Sequence, residues 1–216
     1  HGLVGLEIIE QNNNTIIVKD FLNVKEIPVP NTIRRADTII RSMLKNSKEC
    51  FKANYSVSID NSDNDVNRLY FVAGRITRYL MDNPQLIKEL NLTYRELMNT
   101  WLLMNTLEDF ADECKRVSRL FINLKKEKPK KEFVKQLINI YNEIEATYIN
   151  SMAAFYNKDF KLAYEVLEKR KDFLKNINAM IEKNSEYHVV KIVEKFKNMV
   201  SSIKRIARVA VDNSIT

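Results

Sequence analysis

Glu108 and Asp112 stand four residues apart in the run Thr106 to Phe121, TLEDFADECKRVSRLF. On a helix that spacing sets both carboxylates on one face. A second acidic run, Ser62-Asp63-Asn64-Asp65-Val66-Asn67-Arg68-Leu69-Tyr70-Phe71, precedes it and offers Asp63 and Asp65. Two carboxylates from one helix, completed by one or two from its neighbour, form an oxygen donor set suited to a hard or borderline cation. The competing reading is plain surface electrostatics, because Asp112 and Arg116 also form an i,i+4 pair worth about 0.2–0.5 kcal/mol. Spacing alone leaves both readings open.

The same apolar frame returns near the C-terminus with its charges reversed. In Ser202 to Thr216, SIKRIARVAVDNSIT, residues Ile203, Ile206 and Ala207 match Leu107, Phe110 and Ala111, whereas Lys204 and Arg208 stand where Glu108 and Asp112 stood. One helical unit used twice, with acidic chemistry kept in one copy, explains this pattern. Any metal bound is therefore expected in the N-terminal half only, since two cations at the equivalent place would repel it.

The elements that must position these residues are helices. Only 3 glycines and 4 prolines punctuate 216 residues, which predicts an all-α protein with long helices. Asn31-Thr32 can cap a first helix carrying Ile33, Ala36, Ile40, Met43 and Leu44 inward. From Val66 the set Leu69, Tyr70, Ala73, Ile76 and Leu80 is periodic, while Ser56 to Asp65 is ambiguous because Asp, Asn and Ser compete for backbone hydrogen bonds. Gly74 inside this helix marks a close helix contact. Asp82-Asn83-Pro84 breaks the chain, and the third stripe runs Tyr94, Leu97, Trp101, Met104, Leu107, Ala111, Cys114, Val117 and Phe121.

After the basic loop Lys125 to Lys131, with Pro129 where a helix would begin, three more stripes follow. They are Phe133 to Phe155, Ala163 to Ile181 and Val189 to Ala210, each apolar on one face only, as in a bundle. Ahead of the helices, Gly5 to Glu10 and Thr15 to Lys19 flank Asn12-Asn13-Asn14 and read as a β-hairpin. An isolated hairpin is marginal in water, so it needs a partner. The expected organisation is a hairpin and linker over 1–30, a three-helix unit over 31–124 and a second over 125–216.

A formal charge of +7 permits attraction to nucleic acid, phosphate or an anionic membrane face without choosing among them. Cys50 and Cys114 lack Cys-x-x-Cys spacing, no apolar run reaches the ~20 residues that cross a bilayer, and a reduced, cytoplasmic setting follows as the expectation. The only histidines, His1 and His188, follow no glutamate at di-iron spacing, and there is no phosphate-cradling glycine loop or legible nucleophile–base pair. The sequence reads as a non-enzyme. No helix-turn-helix or zinc-finger spacing appears either.

Leu107-Glu108-Asp109-Phe110-Ala111-Asp112 resembles the Glu-Arg-Ile-x-Asp-x-Ala signature of the PhoU family of phosphate-uptake regulators, and Asp63 to Leu69 resembles that family's Asp-x-Glu-Val-Asp-Arg-Leu stretch. The resemblance implies a six-helix bundle of two three-helix units, with iron or zinc held by Glu108, Asp112, Asp63 and Asp65. It departs from the family at Asn67 and, where acids would complete a second site, at Lys204 and Arg208 and at Arg170 and Leu174, leaving Asp172 as the lone acid of its stretch. Glu168 and Asp172 keep an acidic spacing, but Lys169, Arg170 and Lys171 beside them predict a salt-bridged outer face. Leu3 to Glu10 resembles the junction of archaeal relatives in which an AbrB-like DNA-binding domain precedes a PhoU-like one; starting at His1, the sequence then reads as a fragment.

The function implied is negative regulation of phosphate uptake and its associated transcription through protein contacts. The partners implied are a phosphate-transporter ATPase or a sensor protein, a second copy in a homodimer, and DNA only through the preceding domain. The rival readings are an oligomerising effector domain with no phosphate role and a carboxylate metal-binding protein.

Overall fold

The computed structural model describes residues 6–12, 14–20, 29–53, 55–183 and 187–215. Strands β1 (Leu6–Gln11) and β2 (Ile16–Asp20) pair antiparallel, with an irregularity between Ile8 and Glu10. The Asn12 side chain closes their turn, its Oδ1 accepting from the backbone N–H of Asn14 at 3.1 Å and of Thr15 at 2.8 Å. Ile9, Ile16 and Ile17 remain exposed on this hairpin.

Seven helices follow among the described residues: α1 (Val29–Glu49), α2 (Ser56–Asp82), α3 (Pro84–Glu89), α4 (Tyr94–Lys126), α5 (Lys131–Asn157), α6 (Phe160–Lys183) and α7 (Tyr187–Ser214). Helices α1, α2 and α4 pack on one another, as do α5, α6 and α7, and α4 against α7 joins the two sets along one continuous core. None of the described helices is long and apolar enough to cross a membrane.

The structure refines the sequence reading at the helix starts. Helix α1 begins at Val29, so Asn31 and Thr32 lie inside its first turn rather than capping it; Pro30 is tolerated there because first-turn N–H groups have no intrahelical partner. The polar run from Ser56 is helical throughout, because Ile59, Asp63 and Val66 are buried one turn apart and tertiary packing overrides weak local propensity. The connection after Asn83 holds a short helix, α3, with Pro84 in its first turn and Ile87 buried beneath it.

Helix α4 is the spine. Its 33 residues span about 50 Å at ~1.5 Å per residue. A capping box fixes its start: Thr93 Oγ1 accepts from the Glu96 N–H at 3.1 Å, and Glu96 Oε2 accepts from the Thr93 N–H at 2.9 Å. Tyr94, expected on the inward stripe, is 53% exposed, since the stripe reaches the core only from Leu97. Further along, Phe110 stacks on Tyr148 of α5 with centroids 4.6 Å apart, and Phe121 meets Tyr141 of α5 and Phe196 of α7 edge-on.

Candidate functional site

Glu108 and Asp112 of α4 lie beside Asp63 of α2. Asp63 is buried, and its Oδ2 takes a hydrogen bond from Lys115 Nζ at 2.7 Å. The same ammonium lies 3.0 Å from Asp112 Oδ1, while Asp112 Oδ2 pairs with Arg116. Lys115 thus bridges a carboxylate of α2 and one of its own helix. Asn67 turns its amide toward Asp63 Oδ2 at 3.4 Å.

Glu108 completes the cluster without a hydrogen bond or ion pair of its own among the described residues. Burial foremost, then the charges of Asp109, Asp112 and Asp63, push its carboxyl above the ordinary value, and Lys115 opposes the shift. For Lys115, burial works to lower the pKa, but hydrogen bonds to Asp63 and Asp112 and their charges outweigh it and hold the ammonium above its usual value.

Asp65 is not brought to this cluster. It is exposed and pairs along its own helix with Arg68 at 3.2 Å. The donor set therefore does not fit the iron or zinc that the resemblance implies: one of the four carboxylates points elsewhere, two are engaged by an ammonium, and Glu108 alone is unpaired. Among the described residues no group of three or more His, Cys, Asp or Glu side chains is placed to hold a metal ion.

Lys115 was legible in the sequence and not singled out. It stands three residues beyond Asp112 and seven beyond Glu108, on the same helical face. Glu113 was also missed. Its side chain is only 10% exposed, and it joins α4 to α7 through Asn198 Nδ2 at 3.0 Å from Oε1 and Lys195 Nζ at 3.8 Å from Oε2. Asp109 adds a second tie to α7 through Arg205 Nη2 at 2.7 Å. The cysteines are both buried and free, and burial holds the Cys114 thiol far above its ordinary value, so neither is poised as a nucleophile.

In the C-terminal half the reversed charges are real and close together: Arg208 first and Arg170 second press the Lys204 ammonium below its ordinary value. No ion pair is seen for Arg170, Lys204 or Arg208 among the described residues.

No family model matches the sequence. No curated protein matches it either. Among solved structures, the chain is similar to PhoU from Pseudomonas aeruginosa, with a TM-score of 0.63 and 15% identity, over 87% of this chain and 92% of that one. The fold is a PhoU-like helical bundle.

Proposed function

We propose that this chain is a PhoU-like regulatory module, acting as a negative regulator of phosphate uptake and its associated transcription through protein contacts. The observation that carries this reading is the likeness of the bundle to a PhoU structure over nearly the whole length of both chains. The nearness of Glu108, Asp112 and Asp63, three of the residues on which the resemblance rests, is consistent with this reading, although Asp65 stands apart. The partner in this reading is a phosphate-transporter ATPase or a sensor protein in the cytoplasm. In this reading DNA is not a direct partner of the helices, and Ile9, Ile16 and Ile17 of the hairpin are exposed apolar surface that a protein partner could cover.

The test is complementation in a bacterium lacking its own PhoU. Phosphate uptake and a phosphate-starvation reporter are measured with and without expression of the chain. Lower uptake and a repressed reporter in phosphate-rich medium are expected. Unchanged uptake and reporter, with the chain folded and abundant, would overturn the reading.

A further inference from the structure

Arg170 occupies a position that the periodicity of α6 reserves for an apolar residue. It lies four residues after Val166, three after Leu167 and four before Leu174, on the stripe that α6 turns toward α5 and α7. Its Nε is shut off from solvent and has no hydrogen-bond partner. A buried guanidinium nitrogen without an acceptor is costly, and such a group in a folded protein calls for a reason.

The rest of the side chain borders open space. Arg170 lines a cavity of about 330 Å³ between α5, α6 and α7, and Lys204 enters the same cavity from α7. Leu162, Val166, Phe173, Val200 and Ile203 form its apolar wall, and Thr147, Asn150 and Asn176 add neutral polar groups. Three carboxylates also line it, Glu143, Glu165 and Asp172, but all three are exposed and pair with neither cation, so they lie at the solvent-screened rim. Arg170 and Lys204 are half-buried, and neither has an ion-pair partner among the described residues. The charges of Arg208 first and Arg170 second press the Lys204 ammonium below its ordinary value.

We infer that this cavity binds a small phosphorylated molecule, its phosphate held by Arg170 and Lys204 and its short apolar body laid against Phe173 and Val200. The two terminal nitrogens of the guanidinium are not shut off as Nε is and have no protein partner among the described residues, and their planar pair matches the oxygens of a phosphate or carboxylate. Phosphate is favoured because attraction to two adjacent cations scales with ligand charge, and a dianion gains twice what a carboxylate gains. The volume is at the small end of ligand cavities, which limits the body to about the size of one ring. This site lies in the half of the bundle opposite the acidic cluster and stands apart from the regulatory reading; either can fail alone.

The test uses the 216-residue chain and three probes: phenyl phosphate, inorganic phosphate and benzoate, followed by calorimetry and by amide chemical shifts. Saturable binding of phenyl phosphate is expected, with shifts gathered at Thr147, Asn150, Asn176 and Phe173. Inorganic phosphate, lacking the apolar body, and benzoate, lacking the second charge, should each bind at least about tenfold more weakly. Arg170→Gln and Lys204→Gln should each weaken phenyl phosphate by about tenfold or more, whereas Glu168→Gln, on α6 outside the cavity, should leave it unchanged. The shift map of the unsubstituted chain keeps the proposal testable if Arg170→Gln fails to fold. Absence of saturable binding, shifts elsewhere, or either control probe binding as tightly as phenyl phosphate would overturn it. So would retained affinity in folded Lys204→Gln.

Discussion

Lys115 Nζ donates to Asp63 Oδ2 at 2.7 Å, so a fixed ammonium of α4 neutralises the one buried carboxylate that α2 presents to it. Both side chains are well shielded, at 19% and 7% exposure, and the contact is worth more than a surface pair. Removing Lys115 strands Asp63 and half-strands Asp112. Lys115→Gln should lower unfolding stability by about 2–3 kcal/mol, read from urea melts at neutral pH. A variant as stable as the parent chain would show that Asp63 is satisfied without the ammonium.

The capping box of α4 carries its own pH signature. Hydrogen bonds from the Thr93 backbone first, and from its hydroxyl second, hold the Glu96 carboxyl below its ordinary value of 4.5. A carboxyl depressed on folding contributes stability that is present above pH 4.5 and is lost as pH falls through the folded value. Glu96 is largely solvated, so screening keeps the effect small. Glu96→Ala should cost about 0.5 kcal/mol at pH 7 and nothing measurable near pH 3. Equal losses at the two pH values in denaturant titrations would mean that Glu96 acts through packing rather than through its charge.

The periodic helices were readable because a 3.6-residue stripe is a local property, and Ile40, Ile76, Leu107, Ile144 and Phe196 are all buried where their stripes put them. The start of α2 was not, because Ser56 to Asp65 is polar enough to favour caps and turns, and only distant partners for Ile59, Asp63 and Val66 make it helical. The acidic site divides along the same line. Glu108 and Asp112 share a face by spacing alone, but whether that face holds a metal or an ammonium depends on which cation reaches across to α2. Asp112 has Lys115 at i+3 and Arg116 at i+4, and sequence cannot say that Lys115 is the one turned toward Asp63. Arg170 was read as part of an outer face because Lys169 and Lys171 flank it, although its own position falls on the inward stripe.

Gly74 and Trp101 test the close approach of α2 and α4. A Cβ at Gly74 would lie 2.9 Å from Trp101 Cζ3, inside contact distance, and the indole is held by stacking on Tyr70 with centroids 5.1 Å apart. Alanine favours the helix by about 1 kcal/mol, while overpacking against a stiff ring costs about 1–3 kcal/mol. Gly74→Ala should therefore destabilise by about 1 kcal/mol and red-shift the fluorescence of the single tryptophan as the indole is displaced toward solvent. A stabilised variant with an unchanged spectrum would mean that the helices separate without loss.

Asp37 joins the two sets of helices through a buried polar node. Its Oδ1 accepts from Tyr148 Oη at 3.0 Å and from Arg41 Nε at 2.9 Å, and its Oδ2 accepts from Tyr156 Oη at 3.1 Å. The two hydroxyls are not equivalent. Tyr148 is fully buried, so its loss leaves Oδ1 with Arg41 alone and no water to replace the hydroxyl, whereas Tyr156 is partly exposed, with Arg34 4.8 Å above its ring, and water can take its place. Tyr148→Phe should cost about 2 kcal/mol and Tyr156→Phe no more than about 1 kcal/mol. Asp37→Ala removes the shared acceptor and should cost about 3–5 kcal/mol, with the Tyr148→Phe penalty largely vanishing in that background. The double-mutant cycle in urea is the measurement; additive losses for Asp37→Ala and Tyr148→Phe would show that the hydroxyl is satisfied elsewhere and that the node does not couple α1 to α5.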